Sequence, residues 1–171
     1  ILYRPRYHKP RVYRNVFSPK MCQHIIKLAS NSLEPSTVSE DRDVDDTIRK
    51  SKTAWLDPKS DRVVNHMVKT CASFTDRPSI NCEHLQVLRY RPGGFYTEHQ
   101  DTFEKHLEAN YRMYTCIIGL NEGYEGGETE FTRLKTKYRL NTGDVLVFNT
   151  LNDWDMFTDN ALHAGTTVRS G

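Results

Sequence analysis

Apolar residues recur at helical spacing in two stretches of the first half of the chain. The first follows Ser18 and Pro19, which suit a helix N-cap and the first helical position. Its apolar residues are Cys22, Ile25, Ile26 and Ala29. The second starts near Ser60 or Asp61 and continues with Val63, Val64, Met67, Val68, Cys71 and Phe74. Because residues three and four apart share one face of a helix, the pattern predicts two helices with buried apolar stripes.

From residue 85 onward, short β-prone runs alternate with turn residues. The runs cover residues 85–90, 95–99, 113–120, 128–131, 137–140, 144–149 and 162–168. Turn sequences such as Pro-Gly-Gly and Asn-Thr-Gly separate them. Many short strands with turns between them indicate an antiparallel sandwich or barrel. We therefore expect a mainly β fold with flanking helices (α+β), in which the N-terminal helices pack on one face of the sheet.

The composition narrows the class of protein without identifying it. The 171 residues carry a formal net charge of +2 and no concentrated basic stripe, which argues against nucleic-acid binding. No apolar run approaches the roughly 20 residues that span a bilayer, so we expect no membrane-spanning segment. The acidic run over residues 39–46 lacks the glycine and the distal glutamate of a calcium loop, which favours a solvated loop.

The four cysteines form no close pair and no CxxC motif, so a zinc finger or a small disulfide scaffold is disfavoured. They are Cys22, Cys71, Cys82 and Cys116. Each lies among apolar residues, and we expect buried free thiols. The spacing alone leaves disulfides, and with them the redox compartment, open.

A His-x-Asp pair, His99 and Asp101, is the first candidate for chemistry. In an extended segment, residues i and i+2 point to the same side, so the imidazole and the carboxylate can converge on one ion. Two protein ligands hold a transition metal poorly, and His163, in another predicted strand, is the candidate for a third. Two histidines and one carboxylate that leave half of the coordination sphere open are typical of non-haem Fe(II) oxygenases.

Further motifs surround this pair. From residue 85 onward, over half of the chain, they are Tyr-Arg-Pro-Gly-Gly-Phe-Tyr (90–96), Gly-Gly-Glu-Thr (126–129), a glycine-led apolar strand (143–148) and His-Ala-Gly (163–165). Earlier in the chain stands Arg-Lys-Ser-Lys-Thr-Ala-Trp-Leu (49–56), and residues 16–22 lead into the first predicted helix. Together these motifs resemble the prolyl 4-hydroxylase branch of the 2-oxoglutarate dioxygenases.

The resemblance implies a jelly-roll core, also called a double-stranded β-helix. It implies one Fe(II)/2-oxoglutarate dioxygenase domain over residues 1–171, with helical support over 1–80 and the core over 81–171. Fe(II), 2-oxoglutarate and O2 would be required, with ascorbate as a candidate addition. The reaction would hydroxylate a peptidyl proline at C4 and release succinate and CO2. The partner would be a proline-containing peptide, and a collagen-like one would imply the endoplasmic reticulum lumen.

The resemblance also assigns roles to single residues. Tyr90 and Thr115 match positions that contact the far carboxylate of 2-oxoglutarate. Hydroxyl donors suit a buried carboxylate, because an unpaired buried charge is costly. Tyr96 and Arg112 match positions that contact the peptide, and an aromatic face beside the iron suits a proline ring. Strand packing is the alternative for the two hydroxyl residues, and a surface charge at a strand end is the alternative for Arg112.

Two loops are candidates for the substrate mouth. Trp154 and Phe157 fall in the unusual loop 152–160, just before His163, where core packing is the alternative. By the same resemblance, the loop over residues 35–48 closes over the peptide.

The sequence departs from the family pattern at its end. The family anchors 2-oxoglutarate with a basic residue, usually lysine, at a position that would follow Gly171. We therefore expect the protein to continue past this point and to have been trimmed before Ile1. Arg169 shares strand parity with His163 but falls short of the expected anchor.

Two other hypotheses remain at this point. The same iron chemistry could act on another residue or on a small molecule. A jelly-roll scaffold could instead serve as a non-catalytic binding module, because a fold alone does not fix function. The three intact candidate ligands favour an enzyme.

Overall fold

The computed structural model describes residues 3–38, 43–102 and 111–171 and is mostly β with two helices. The predicted acidic loop over 39–46 and the predicted closing loop over 35–48 lie partly outside the described residues. The helices are α1 (Pro19–Ser30) and α2 (Arg62–Ser73). The strands, in chain order, are β1 (Arg11–Tyr13), β2 (Glu34–Pro35), β3 (Arg49–Lys50), β4 (Lys52–Leu56), β5 (Leu85–Arg89), β6 (Phe95–His99), β7 (Tyr114–Ile118), β8 (Glu125–Gly126), β9 (Thr129–Phe131), β10 (Thr136–Tyr138), β11 (Val145–Asn149), β12 (His163–Gly165) and β13 (Val168–Ser170).

Both helices begin where the sequence predicts them. The Ser18 hydroxyl accepts a hydrogen bond from the Met21 N–H at 3.3 Å, and the Asp61 carboxylate accepts two from the first turn of α2. The buried residues of the helices are Cys22, Ile25, Ala29, Val64, Met67, Val68, Cys71 and Ala72. Ile26, predicted in the first stripe, is instead 42% exposed, because it lies on the solvent side of that stripe.

Strands also occur in the first half of the chain, where the sequence analysis predicts only helices. They are β1, β2, β3 and β4, and each has two to five residues. β1 pairs antiparallel with β11, and β3 pairs antiparallel with β6, so both halves of the chain contribute to the sheets. β1, β2 and β3, with two or three residues each, hold too few residues to show the alternation that marks a strand, whereas β4, with five, was missed although its length suffices.

The strands predicted after residue 85 are all present, with ends that shift by up to two residues, except for the last. The predicted run 162–168 divides into β12 and β13. The Thr166 N–H still donates to the Glu128 carbonyl at 2.9 Å, and Val168 then pairs with Gly126 of β8 in a different sheet. The two-residue strand β8, which pairs with β13, was not predicted.

Two antiparallel sheets position the site, one with the order β10-β9-β12-β6-β3 and the other with the order β1-β11-β7. β11 is buried on both faces. Val145 and Val147 contribute to the main apolar core, together with α1, α2 and the β4–β5 pair. Leu146 and Phe148 point the other way, into a second, smaller core. Successive strand residues face opposite sides, so β11 joins the two cores.

Gly143 lets the segment before α1 approach the start of β11. Its carbonyl accepts hydrogen bonds from the N–H groups of Val16 and Phe17, at 2.9 and 3.1 Å. Its φ is +86°, and a Cβ atom there would lie 2.0 Å from the Phe17 carbonyl oxygen. Only glycine fits this position.

Asp144, the residue before β11, ties the N-terminal segment to the sheet. Its carboxylate is 2% exposed and accepts hydrogen bonds from the N–H groups of Asn15 and Asn141, at 3.0 and 2.9 Å. Arg14 adds an ion pair at 2.6 Å, but its side chain is 56% exposed, so water screens the pair to less than about 1 kcal/mol. Burial opposes ionisation, and the hydrogen bonds outweigh it, so the pKa of Asp144 lies below its ordinary value.

We expect Asp144→Ala to lower the free energy of unfolding by about 2–3 kcal/mol, because the N–H groups of Asn15 and Asn141 lose their hydrogen bonds to a buried carboxylate. Urea denaturation measures this loss, and Asp46→Ala, at an exposed position, is the control. The pKa of the Asp144 carboxyl is lower in the folded protein than in the unfolded protein, where it is about 4. The ionised carboxylate therefore stabilises the fold above about pH 4, and this stabilisation is lost as the pH falls through the folded-state pKa. The difference between wild type and variant should therefore shrink below about pH 4. A difference that is constant down to pH 2 would contradict this account.

All four cysteines of the sequence lie in the described part and carry free thiols. Cys22 and Cys71 are buried and Cys116 is partly buried, but the expectation of burial is wrong for Cys82, which is exposed. Cys82 follows the short 3-10 turn Ser79–Asn81, in which no residue is buried. Within the described ranges, no helix is long and apolar enough to cross a membrane.

Candidate functional site

The pairing of β12 with β6 places the two candidate histidine ligands opposite each other. His163 is the direct cross-strand partner of His99, although the two are 64 positions apart in the chain. Side chains opposite each other in an antiparallel pair lie on the same face of the sheet. The two ring centroids are accordingly 4.3 Å apart.

Asp101, two residues beyond the end of β6 on the same side, completes the group. Its Oδ1 atom lies 3.4 Å from Nε2 of His99 and 3.5 Å from Nε2 of His163. One ligand atom from each of the three residues lies within 4.8 Å of the others. Two atoms bound to one metal at about 2.1 Å, with bonds at right angles, lie roughly 3 Å apart. The observed spacing therefore fits a single first-row metal ion.

The orientation of both imidazoles also fits a metal. Nδ1 of His99 lies 2.7 Å from the Thr97 carbonyl oxygen, and Nδ1 of His163 lies 2.9 Å from the Ala161 carbonyl oxygen. A carbonyl only accepts, so each neutral ring carries its proton on Nδ1. Nε2 of each ring then offers a lone pair to the shared site, in the way that backbone partners orient metal-binding histidines.

The electrostatics of the site keep its carboxylate ionised. Burial opposes the negative charge of Asp101, but the hydrogen bonds and charges of His163 and His99 outweigh burial and hold the pKa well below its ordinary value. At His163, burial lowers the pKa, but the hydrogen bond and the charge of Asp101 outweigh burial and raise the pKa above its ordinary value. Protons therefore compete with a cation for His163, whereas Asp101 is ready to bind one.

Thr115, predicted to contact 2-oxoglutarate, lies at the site and donates a hydrogen bond from Oγ1 to Oδ2 of Asp101 at 2.6 Å. It belongs to β7, in the sheet opposite the one that carries the histidines, so this bond joins the two sheets. The bond occupies one carboxylate oxygen and leaves Oδ1 turned toward the histidines. Such outer partners fix a ligand's orientation.

We expect Thr115→Val to weaken Fe(II) binding about 10-fold, because the Asp101 carboxylate loses the hydroxyl that orients it. Equilibrium dialysis under anaerobic conditions measures this affinity, and Thr115→Ser, which keeps the hydroxyl, is the matched control. Unchanged Fe(II) affinity in the valine variant, with a higher KM for 2-oxoglutarate alone, would assign Thr115 to the co-substrate only.

Two buried aromatic rings wall the site behind His163, which is 4% exposed. Phe131 stacks on its imidazole at 5.5 Å between centroids, and Phe148 meets it edge-on at 4.8 Å. These rings exclude water and fix the imidazole plane. The sequence analysis did not single them out, because they have the ordinary appearance of strand core residues.

Tyr96, predicted to contact substrate, covers the open face of His99. The two rings stack with centroids 3.6 Å apart and 16° between planes. The Arg49 guanidinium lies 4.5 Å above the other face of the tyrosine ring. Arg49 is 7% exposed and is the direct cross-strand partner of Tyr96. The result is a three-layer stack of Arg49, Tyr96 and His99 beside the candidate metal site.

Comparison with known proteins decides the family. A model described as the 2OG-Fe(II) oxygenase superfamily matches residues 85–171, half of the chain. This chain belongs to the 2OG-Fe(II) oxygenase superfamily. A putative prolyl 4-hydroxylase of Acanthamoeba polyphaga mimivirus is 34% identical over 174 residues, which cover 96% of this chain and 71% of that protein. The probable prolyl 4-hydroxylase 7 of Arabidopsis thaliana is 30% identical over 95% of this chain and 60% of its own length.

Solved structures agree with this relationship. A viral collagen prolyl hydroxylase from Paramecium bursaria Chlorella virus-1, in complex with 2OG, superposes with a TM-score of 0.75 at 26% identity. The match covers 95% of this chain and 90% of that one. A Pseudomonas putida prolyl-4-hydroxylase, at 19% identity and a TM-score of 0.68, shares the fold. The oxygenase described here is thus prolyl 4-hydroxylase-like, and its neighbours are jelly-roll oxygenases.

Arg112 of this oxygenase lies at the edge of the site and is 43% exposed. Its guanidinium forms two hydrogen bonds with the Glu83 carboxylate, at 2.6 and 3.0 Å. Its carbonyl accepts hydrogen bonds from the hydroxyls of Thr102 and Thr150, both buried. Thr102 follows Asp101 directly, so the two hydroxyls tie the segment with this candidate ligand to the residues just before β7 and just after β11.

The remaining predicted residues form no hydrogen bond or ion pair with the three candidate ligands in the part of the chain that the structure describes. Tyr90 follows β5 and is half-buried. It lies close enough to Tyr96 to help raise the pKa of the Tyr96 hydroxyl. Trp154 is 47% exposed and stacks on Tyr3, which argues against core packing. Arg169 is exposed on β13, on the side of Glu128.

Proposed function

We propose that His99, Asp101 and His163 hold the Fe(II) ion of this oxygenase and that the enzyme hydroxylates peptidyl proline at C4. The observation that carries the proposal is the convergence of the three side chains, with Nε2 of both histidines 3.4 and 3.5 Å from one carboxylate oxygen. We also infer a single catalytic domain with a double-stranded β-helix core and the helices on one side. The fold of the neighbouring structures supports this architecture.

The bound iron, with 2-oxoglutarate and O2, supplies the oxidising chemistry, in which 2-oxoglutarate is converted to succinate and CO2. The chain contributes orientation and shelter. Thr115 fixes the Asp101 carboxylate, and Phe131 and Phe148 keep water from the inner side of His163. Tyr90 is the proposed hydroxyl donor to the 2-oxoglutarate carboxylate that points away from the metal. Thr115 stays a proposed residue of the same pocket, where it would contact this carboxylate only by exchanging the hydrogen that it donates to Asp101.

On the substrate side, Tyr96 offers the edge and the hydroxyl of its ring, because its two faces contact His99 and Arg49. Burial raises the pKa of its hydroxyl, with a smaller opposing effect from Arg49, so the tyrosine stays neutral. The edge of a neutral ring held between a guanidinium and an imidazole is the proposed contact for a proline ring. Arg112, which lies close enough to Tyr96 to influence its pKa, and Trp154 are the other proposed peptide contacts. The names of the viral and plant relatives, all prolyl 4-hydroxylases, support proline as the target.

The test is mass spectrometry of a panel of proline-containing peptides after incubation with the enzyme, Fe(II), 2-oxoglutarate and ascorbate. We expect one added oxygen on proline, fragment spectra that place it at C4, and succinate formed in equal amount. An alanine-substituted copy of each peptide is the control. Oxygen added to another residue would move the target and keep the iron chemistry. Succinate formation that no peptide increases would reject the peptide substrate.

A further inference from the structure

The N-terminal segment, residues 3–8, docks onto the turn at residues 151–157. The Arg6 N–H donates to Oδ1 of Asp153 at 2.7 Å, and the Asp153 N–H donates to the Arg6 carbonyl at 2.9 Å. Tyr3 stacks on Trp154 with 4° between the ring planes. Two reciprocal hydrogen bonds and an aromatic stack define one geometry for the contact.

Tyr7 anchors the N-terminal segment to the sheet. Its hydroxyl donates to the Asn149 carbonyl, at the end of β11, at 2.7 Å. Burial raises the pKa of Tyr7, and smaller effects of Tyr138 and Asp101 act in the same direction, so the hydroxyl stays a hydrogen-bond donor.

The turn at 151–157 lies between this segment and the metal-ligand strand. It is closed by the pairing of Leu151 with Phe157 and by a hydrogen bond from the Asn152 N–H to the Met156 carbonyl at 3.0 Å. On its far side, the Gln100 side chain, between His99 and Asp101 in sequence, donates to the Thr158 carbonyl at 2.9 Å. Trp154 and Met156 stand 47% and 51% exposed on this turn.

We propose that the N-terminal segment forms an outer wall of the peptide mouth and that Tyr7 is a positioning residue, which holds the 151–157 turn in place for substrate. The inference rests on the proposed function, because it assigns the exposed turn residues to the peptide. Tyr7 touches no reacting group and acts through Asn149 and the Arg6–Asp153 contact. It therefore sets how the peptide binds and leaves the iron chemistry unchanged.

The test compares Tyr7→Phe with Tyr13→Phe. Tyr13 is a half-buried tyrosine of β1 that stacks on Phe74 and whose hydroxyl has no hydrogen-bond partner in the part of the chain that the structure describes. We expect Tyr7→Phe to raise the hydrogen–deuterium exchange rate of the Asp153 backbone N–H about 10-fold, which corresponds to the loss of one ordinary hydrogen bond. The KM for the peptide should rise by a similar factor, while kcat and peptide-independent 2-oxoglutarate turnover stay at wild-type values. Tyr13→Phe should change none of these.

Two results would overturn the inference. One is an Asp153 exchange rate in Tyr7→Phe equal to that of the wild type, and the other is a fall in kcat and in 2-oxoglutarate turnover with no change in KM. Failure of the proposed function is a separate result, in which the wild-type enzyme itself produces no hydroxylated peptide. The exchange measurement does not depend on activity and still decides whether Tyr7 holds the turn.

Discussion

Replacing His99 with alanine should remove Fe(II) binding and lower kcat/KM by more than about 1,000-fold, or about 4 kcal/mol of transition-state stabilisation. Loss of an outer partner of a metal ligand costs about 10- to 100-fold, and loss of a ligand costs more. His99 is one of three proposed protein ligands, so in the variant the remaining pair, Asp101 and His163, would have to hold the ion alone. Anaerobic Fe(II) titration and succinate formation measure the two effects.

The control for this prediction is His84→Ala. His84 has a side chain that is 58% exposed, and its nearest acidic partner is Asp57 at 3.8 Å. The control should retain wild-type Fe(II) affinity and turnover. Circular dichroism of the His99 variant should match the wild type, because His99 is the last residue of β6. A His99 variant that binds Fe(II) and turns over 2-oxoglutarate like the wild type would remove this residue from the metal site.

Replacing Phe131 with alanine should lower the free energy of unfolding by about 3–5 kcal/mol, the usual loss for a buried phenylalanine. Phe131 is 0% exposed and packs against Phe148 and Tyr138, with ring centroids 5.0 and 5.8 Å away. It also stacks on the His163 imidazole. The cavity left by alanine should free that ring to rotate, so Fe(II) affinity should fall in the same variant.

Phe131→Leu separates the packing effect from the loss of the ring. Leucine keeps most of the buried volume and should cost less than about 2 kcal/mol. Leucine has no aromatic face for His163, so the Fe(II) affinity should fall in this variant although most of the free energy of unfolding is kept. Urea denaturation and Fe(II) titration on the same samples give both quantities. Stability that falls in both variants while Fe(II) affinity stays at the wild-type value would show that Phe131 supports only the fold.

The convergence of the three candidate ligands could be predicted from the sequence because metal-binding chemistry leaves a local mark. His99 and Asp101 are two positions apart, a spacing that brings two side chains to one side of an extended segment. The need for a third ligand then points to His163. The register that places His163 opposite His99 could not be derived from either strand alone, because it depends on which strands become neighbours.

Contacts that cross from one strand to another were harder to predict. Thr115 was expected at the 2-oxoglutarate pocket, but its bond to Asp101 spans two sheets and has no signature in the sequence around it. Arg49 stacks on Tyr96 only because the two-residue strand β3 pairs with β6 in one register. A strand of two residues shows no alternation, so the pattern of polar and apolar positions gave no sign of it.

The helices were the most predictable part of the fold. Ser18 and Asp61 are side chains that accept hydrogen bonds from the N–H groups of a first helical turn, and both sit at the predicted starts. Burial was less predictable at the margins of a stripe or beyond the end of a helix. Ile26 and Cys82 are exposed for this reason, although both are apolar in character.

The most direct test of the metal assignment is anomalous X-ray scattering at the iron edge from crystals grown without oxygen, in the presence of Fe(II) and 2-oxoglutarate. We expect one peak, bonded at about 2.0–2.3 Å to Nε2 of His99, one carboxylate oxygen of Asp101 and Nε2 of His163. A peak held by other residues, or no peak between these three side chains, would contradict the assignment.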